Sequence, residues 1–165
     1  MRKFWILILS LLTVLNTCTK NDHSLNNDND SVFYEVHNRD SYTKNNSSKK
    51  LEIDLHYYQL NSDDKIATRI NQAITYNIFS KFGLENISDT TSYSNFYKAV
   101  RNEFGKMQQS LPNATSIGFQ QKTISKVSCN TDDMLSVYID TYVYSGGAHG
   151  MEYREFLNFD TKSGQ

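Results

Sequence analysis

The sequence predicts an α+β fold, an antiparallel sheet with two helices packed on one face, in the order strand, helix, helix, strand, strand, strand. Three observations predict it. Leu51, Ile53, Leu55 and Tyr57 alternate with Glu52, Asp54 and His56, the period of a half-exposed strand. Ile66, Ile70, Ala73, Ile74, Ile78 and Phe82 recur at three- and four-residue spacing, the apolar stripe of an amphipathic helix. The two helical patterns are adjacent in the chain, and no glycine-rich strand-to-helix turn of the phosphate-binding kind separates strands from helices.

The chain of 165 residues is near the size of one domain, with room for a tail. Met1-Arg2-Lys3 is a positive start, and Phe4 to Leu15 is an almost unbroken apolar run. That run is shorter than the roughly 20 residues a helix needs to span a bilayer, and it has the length of an export signal. Cys18 follows it in Leu15-Asn16-Thr17-Cys18, which is similar to a bacterial lipobox, although Asn16 and Thr17 stand where smaller residues are usual. On that reading residues 1–17 are a lipoprotein signal peptide. The lipid on Cys18 then anchors the protein to a cell membrane or outer membrane, facing the periplasm or the exterior. The alternative is an ordinary signal peptide followed by a spare thiol. Cys18 and Cys129 are the two cysteines, so a lipidated Cys18 leaves Cys129 to stand without an intramolecular disulfide, as a buried small side chain rather than a nucleophile.

Residues 18–48 are rich in Asn, Asp, Ser and Lys, and predict a disordered polar tether in which Val32-Phe33-Tyr34 is too brief to argue a strand. The folded domain is expected over 49–165. Its first strand runs through Leu51–Tyr57, with His56 on the solvated phase. Asn61 or Ser62 caps the first helix, Asp63 and Asp64 fall in its first turn, and Gly83 ends it. A second helix is predicted from about Ser92 to Leu111, with Phe96, Val100, Phe104, Met107 and Leu111 inward, and Pro112-Asn113 stops it. Strand character returns over Ile117–Cys129. Then Leu135, Val137, Ile139 and Val143 take one phase of a further strand, and Tyr138, Asp140, Tyr142 and Tyr144 take the other. Met151–Asp160 completes a hairpin whose tip, Ser145-Gly146-Gly147-Ala148-His149-Gly150, has glycines free to take positive φ.

That hairpin, Tyr142-x-Tyr144-Ser-Gly-Gly-Ala-His149-Gly150, followed by Asn158-Phe159-Asp160-Thr161-Lys162-Ser163-Gly164, resembles the PdaC/RsiV-like family of extracytoplasmic bacterial domains of unknown function. The family is shared by lysozyme-sensing anti-sigma factors and by the non-catalytic N-terminal part of a peptidoglycan deacetylase. Ile70-Asn71-Gln72-Ala73-Ile74 also resembles its helix signature, while Tyr57-Tyr58-Gln59-Leu60 lacks a proline often found there. The resemblance covers roughly 50–165. It implies a further segment beyond the Asp160–Gly164 turn, so 49–165 is expected to be truncated at its C-terminal end. It also implies a non-catalytic binding or sensing role, with lysozyme or peptidoglycan as ligand. The alternative it implies is the accessory part of a cell-wall-modifying hydrolase or deacetylase whose catalytic domain is absent here.

The residues themselves ask for no cofactor. The four histidines, at 23, 37, 56 and 149, have no metal-ligand spacing, and neither a nucleophile elbow nor a phosphate loop is present. Asp132-Asp133 and Glu152/Glu155 read as solvated carboxylates rather than a glycosidase pair. A formal charge of -1 with scattered Lys and Arg excludes a nucleic-acid footprint. The candidate binding residues are therefore Tyr138, Tyr142, Tyr144, Gly146, Gly147 and His149. Either the three tyrosines are covered by a further segment, or they form an exposed strip for sugar rings or a protein partner. His149 either binds a ligand or closes its own loop.

Overall fold

The computed structural model describes residues 32–43, 49–110 and 118–165. The expected signal peptide, Cys18 and most of the expected tether lie outside the described residues, as do Leu111, Pro112-Asn113 and Ile117.

The element order is β1 (Phe33–Thr43), β2 (Lys50–Leu60), α1 (Lys65–Phe79) with a short 3₁₀ turn (Ser80–Phe82), α2 (Tyr93–Ser110), β3 (Phe119–Asn130), β4 (Met134–Ser145) and β5 (Met151–Asp160). One five-stranded sheet runs β1-β2-β3-β4-β5, with both helices on one face. The α+β class is as predicted, but the expected sheet is corrected twice, in its order and in its strand direction. First, β1 is a strand where a tether was expected. It pairs antiparallel with β2 along its whole length, from Phe33 opposite Leu60 to Thr43 opposite Lys50. Its composition is polar because it is an edge strand, held by its ladder and by side chains reaching the helices. Tyr93 Oη donates to Asp40 at 2.7 Å, and Tyr42 meets Phe104 edge-on under the Arg101 guanidinium. Second, β2 and β3 are parallel, from Leu51 opposite Phe119 to His56 opposite Ile124. The two helices form the crossover that a parallel neighbour requires, so the sheet is mixed rather than wholly antiparallel.

The core lies between the helices and the sheet. Ile70, Ile74, Ile78 and Phe79 of α1 and Phe96, Val100 and Phe104 of α2 cover Leu51, Ile53, Leu55, Phe119, Leu135, Val137 and Ile139. Phe79 and Phe96 stack with centroids 4.3 Å apart. The α1 cap is Asp64, not Asn61 or Ser62: its Oδ1 accepts from the N–H groups of Ile66 and Ala67, both at 2.8 Å, and Ser62 Oγ donates to its other oxygen. Gly83 ends the helical segment at φ 62, in the left-handed region where a glycine escapes the Cβ clash. Asn71 ties α1 to the end of β2 by bonding both the N–H and the carbonyl of Leu60.

Strand β3 buries a largely polar phase. Ile124 is 51% exposed, while Gln121, Thr123 and Ser125 are buried against the helices. Much of their polarity is matched inside the protein, although Gln121 Oε1 is buried without a hydrogen-bond partner among the described residues. Gln121 Nε2 donates to the Ile78 carbonyl at 2.8 Å, one of the carbonyls that the end of α1 leaves without a helical partner, and Thr123 and Thr141 bond each other at 3.0 Å. A bulge between Val127 and Cys129 then resets the register. Cys129 beyond it is buried and disulfide-bonded, so the expectation of a fold without disulfides is not met.

The segment after β5 folds back. Asp160 Oδ1 accepts from the N–H groups of Lys162 and Ser163, and Gly164 at φ 70 lies so close to Ile66 that a Cβ there would stand 3.1 Å from its carbonyl oxygen. Arg69 donates to the Ser163 carbonyl, and Lys162 pairs with Asp133. Asp133 and Glu155, the latter paired with Lys81, are thus spent on ion pairs that hold turns and helix ends to the sheet.

Candidate functional site

The helices cover one side of the sheet and leave the other open. Because side chains alternate along a strand, the open face is built from the second phase of every strand. It carries Tyr138, Asp140, Tyr142 and Tyr144 from β4, Arg154 and Phe156 from β5, Lys122 and Ile124 from β3, Asp54, His56 and Tyr58 from β2, and Glu35, His37 and Arg39 from β1. Phe156 is 60% exposed there, and Ile124 is half exposed.

Two clusters organise this face. In the first, Tyr138 lies opposite Phe156 with ring centroids 6.0 Å apart, and Asp140 lies opposite Arg154. The guanidinium donates twice to the Asp140 carboxylate, at 2.7 Å each, and sits 5.5 Å from the centre of the Tyr138 ring, whose hydroxyl also donates to Asp140. The Arg154 hydrogen bonds hold the Asp140 carboxyl below its usual range. In the second, the His37 and His56 rings are 5.4 Å apart. His56 Nε2 meets the Glu35 carboxylate, His37 Nε2 meets Asp54 at 3.0 Å, and Tyr58 Oη donates to Glu35 at 3.2 Å. The bond from His56 is the main cause of a lowered Glu35 pKa. Two carboxylates thus face two imidazoles in a surface charge network. Among the described residues no group of three His, Cys, Asp or Glu is placed to hold a metal ion.

The predicted residues divide between two tasks. Tyr138 belongs to the first cluster. Tyr142 and Tyr144 instead hold the hairpin tip: a Cβ on Gly150 would fall 2.4 Å from the Tyr142 ring, so this ring occupies the space that glycine leaves, and Tyr144 Oη donates to the Gly147 carbonyl at 3.0 Å. Of the tip glycines expected at positive φ, Gly146 is, at 87; Gly147 and Gly150 are not. His149 is exposed, with Nδ1 3.2 Å from the neighbouring Gly150 carbonyl. It is remote from Cys129, which pairs with Ser136 near the other end of β4: Ser136 to Ser145 alone spans roughly 30 Å at about 3.3 Å per residue. Phe156, Arg154 and the Glu35–His37–Asp54–His56 group were not among the sequence candidates. Alternation in Glu35-Val36-His37-Asn38-Arg39 was the available signal, obscured by the polar composition around it.

The sequence pattern of the family described as deacetylase PdaC matches residues 44–152, well over half of the chain. The chain belongs to the PdaC family. Two solved structures share its fold. One is a DUF3298-family protein from Bacteroides fragilis, 18% identical, with a TM-score of 0.53, over 79% of this chain and 56% of that one. The other is a DUF3298-family protein from Pseudomonas aeruginosa, 16% identical, with a TM-score of 0.50, over 82% of this chain and 55% of that one. The PdaC-family chain therefore spans about half the length of these structures, and at such identities the likeness is one of fold. No curated protein matches it. The PdaC match ends inside the β4–β5 hairpin, so it contains Tyr138, Tyr142, Tyr144, Gly146, Gly147 and His149 but not Arg154 or Phe156.

Proposed function

We propose that this chain is an extracytoplasmic binding or sensing module of the bacterial cell envelope, without catalysis of its own, and that its ligand sits on the open face of the sheet. The observation that carries this reading is the side of β4 and β5 turned away from the helices. There an exposed Phe156 and a half-exposed Ile124 flank Tyr138 and the Asp140–Arg154 pair, so exposed apolar and charged groups share one surface. Likeness of the hairpin to lysozyme-sensing and peptidoglycan-associated proteins supports lysozyme or peptidoglycan as the ligand. Binding of the purified chain to immobilised lysozyme and its co-sedimentation with peptidoglycan sacculi test this. One of the two retains the protein, and Phe156→Ser weakens retention at least ~10-fold; failure of both ligands with the wild type ends the reading.

Export follows from the same proposal, with a lipid on Cys18 as anchor. Cys18 and Cys129 are the two cysteines, so a thioether on Cys18 and a bridge between them exclude one another. The bridged Cys129 favours a second form, exported into an oxidising compartment without the lipid. Mass spectrometry of the mature protein separates them: a diacylglyceryl mass on an N-terminal Cys18 fits the anchor, a non-reduced peptide pair joining positions 18 and 129 fits the bridge.

The family's description as a deacetylase favours one further reading, the accessory part of a cell-wall-modifying hydrolase or deacetylase with its catalysis in a separate domain. Acetate release from N-acetylated peptidoglycan by this chain alone would contradict both readings.

A further inference from the structure

On the helix side of the sheet, at the ends of β1 and β2, α1 and the segment leading into α2 enclose a cleft of about 640 Å³, within the range of small-ligand sites. Its floor is a relay of fixed side chains: Tyr34 Oη donates to Gln59 Oε1, and Gln59 Nε2 donates to Thr75 Oγ1 at 3.0 Å. The Tyr34 ring is 43% exposed at one wall, Tyr93 stands at another with its hydroxyl anchored on Asp40, and the Gln72 amide lines the side formed by α1. Among the described residues that line it there is no lysine, arginine or histidine, and the two charged ones are the exposed carboxylates Asp63 and Asp89.

We propose that this cleft binds an uncharged oligosaccharide. A pyranose ring offers an apolar face to a tyrosine and a rim of hydroxyls that both donate and accept, and the amides and hydroxyls here do the same. The carboxylates, with no lysine, arginine or histidine among the described lining residues, repel acidic sugars and phosphates. They lie in the exposed wall rather than in the floor, so no buried counter-charge calls for a cationic ligand. Side chains already held by one another lose little freedom on binding. The cleft lies across the sheet from the open face, so this inference does not rest on the ligand of that face.

The test is titration of the full chain with cellotriose and chitotriose as neutral probes and trigalacturonate as the acidic one, followed by NMR shifts and calorimetry. At least one neutral trisaccharide binds with a Kd of millimolar order or tighter, and trigalacturonate does not bind at ~10 mM. Tyr34→Ala weakens the neutral probe at least ~10-fold, Gln72→Ala weakens it by a smaller factor, and Tyr34→Phe, which keeps the ring, retains most of it. Phe156→Ser leaves it unchanged, which distinguishes failure here from failure of the open-face ligand. The inference is overturned if neither neutral probe binds at ~10 mM, if trigalacturonate binds as well as they do, or if folded Tyr34→Ala and Gln72→Ala both bind as the wild type does.

Discussion

The two sides of strand β4 do opposite work with neighbouring residues. Leu135, Val137, Ile139 and Val143 are buried against the helices, whereas Tyr138, Asp140, Tyr142 and Tyr144 point the other way and stay partly in water. The helix side gains its energy from apolar area removed from solvent, on the order of 1.5–3 kcal/mol for each large side chain. The open side is held by exposed ion pairs and ring contacts, each worth little alone. Stability is therefore concentrated on one face, and the other is free to exchange its contacts for a ligand.

The largest blow to this asymmetry is Phe96→Ala. Phe96 is fully buried and stacked on Phe79, so its loss removes about 3–5 kcal/mol from unfolding in urea. A cost comparable to that of an exposed substitution would break the comparison. Next is Gly150→Ala, which forces the Tyr142 ring out of its place and costs about 1–3 kcal/mol. With Tyr142→Ala already present, the same change should cost far less, and a thermodynamic cycle that is additive would show that the ring and the glycine are not coupled.

Titration sharpens the contrast from both ends of the pH scale. Burial, and then Asp40, push the Tyr93 hydroxyl well above the usual tyrosine range. The folded state keeps a proton that the unfolded chain gives up near pH 10, so this contribution is full below that pH and is lost as pH rises through the raised folded value. Glu35 and Asp140 on the open face run the other way. Their lowered carboxyls contribute above the ordinary carboxylate range and lose that contribution as acid reaches the folded values. Melting followed across pH should therefore show an alkaline loss that Tyr93→Phe blunts and an acid loss that it leaves alone. The smallest effect belongs to Phe156→Ser: stability stays within about 0.5 kcal/mol of wild type in the same urea experiment, although a large aromatic has been removed.

The helix side was legible where one strong period repeated: the α1 isoleucines and the aliphatic phase of β4 reveal their partner by spacing alone. The phase of strand β3 was not readable, because its neighbours set it. Pairing with β2 and β4 turns Gln121, Thr123 and Ser125 inward, and a slip by one residue would have buried Lys122 and Lys126 instead. Strand β1 was hidden for a related reason: Asn38, Arg39 and Asp40 look like tether composition until the β2 ladder supplies their backbone partners. The parallel seam left no local sign, since nothing in a strand's own residues states its direction. At the candidate site, the tyrosine phase of β4 was readable, but the division of labour within it was not, because Tyr142 and Tyr144 are taken up by a turn whose glycines face them only in three dimensions.

That seam has a kinetic meaning. β1 with β2, and β3 with β4 and β5, are hairpins that each form between near neighbours in the chain, but the two halves meet through six residue pairs separated by 68 positions, Leu51–His56 against Phe119–Ile124. Closing so long a loop costs entropy before any contact repays it. The halves should therefore form early and join late. Truncating Leu55, buried at the seam, to alanine should slow folding with about the full loss of stability expressed in that rate, whereas truncating Leu157 on the far edge strand should act mainly on unfolding. Equal partitioning of both variants in a chevron would show that the sheet condenses as one piece.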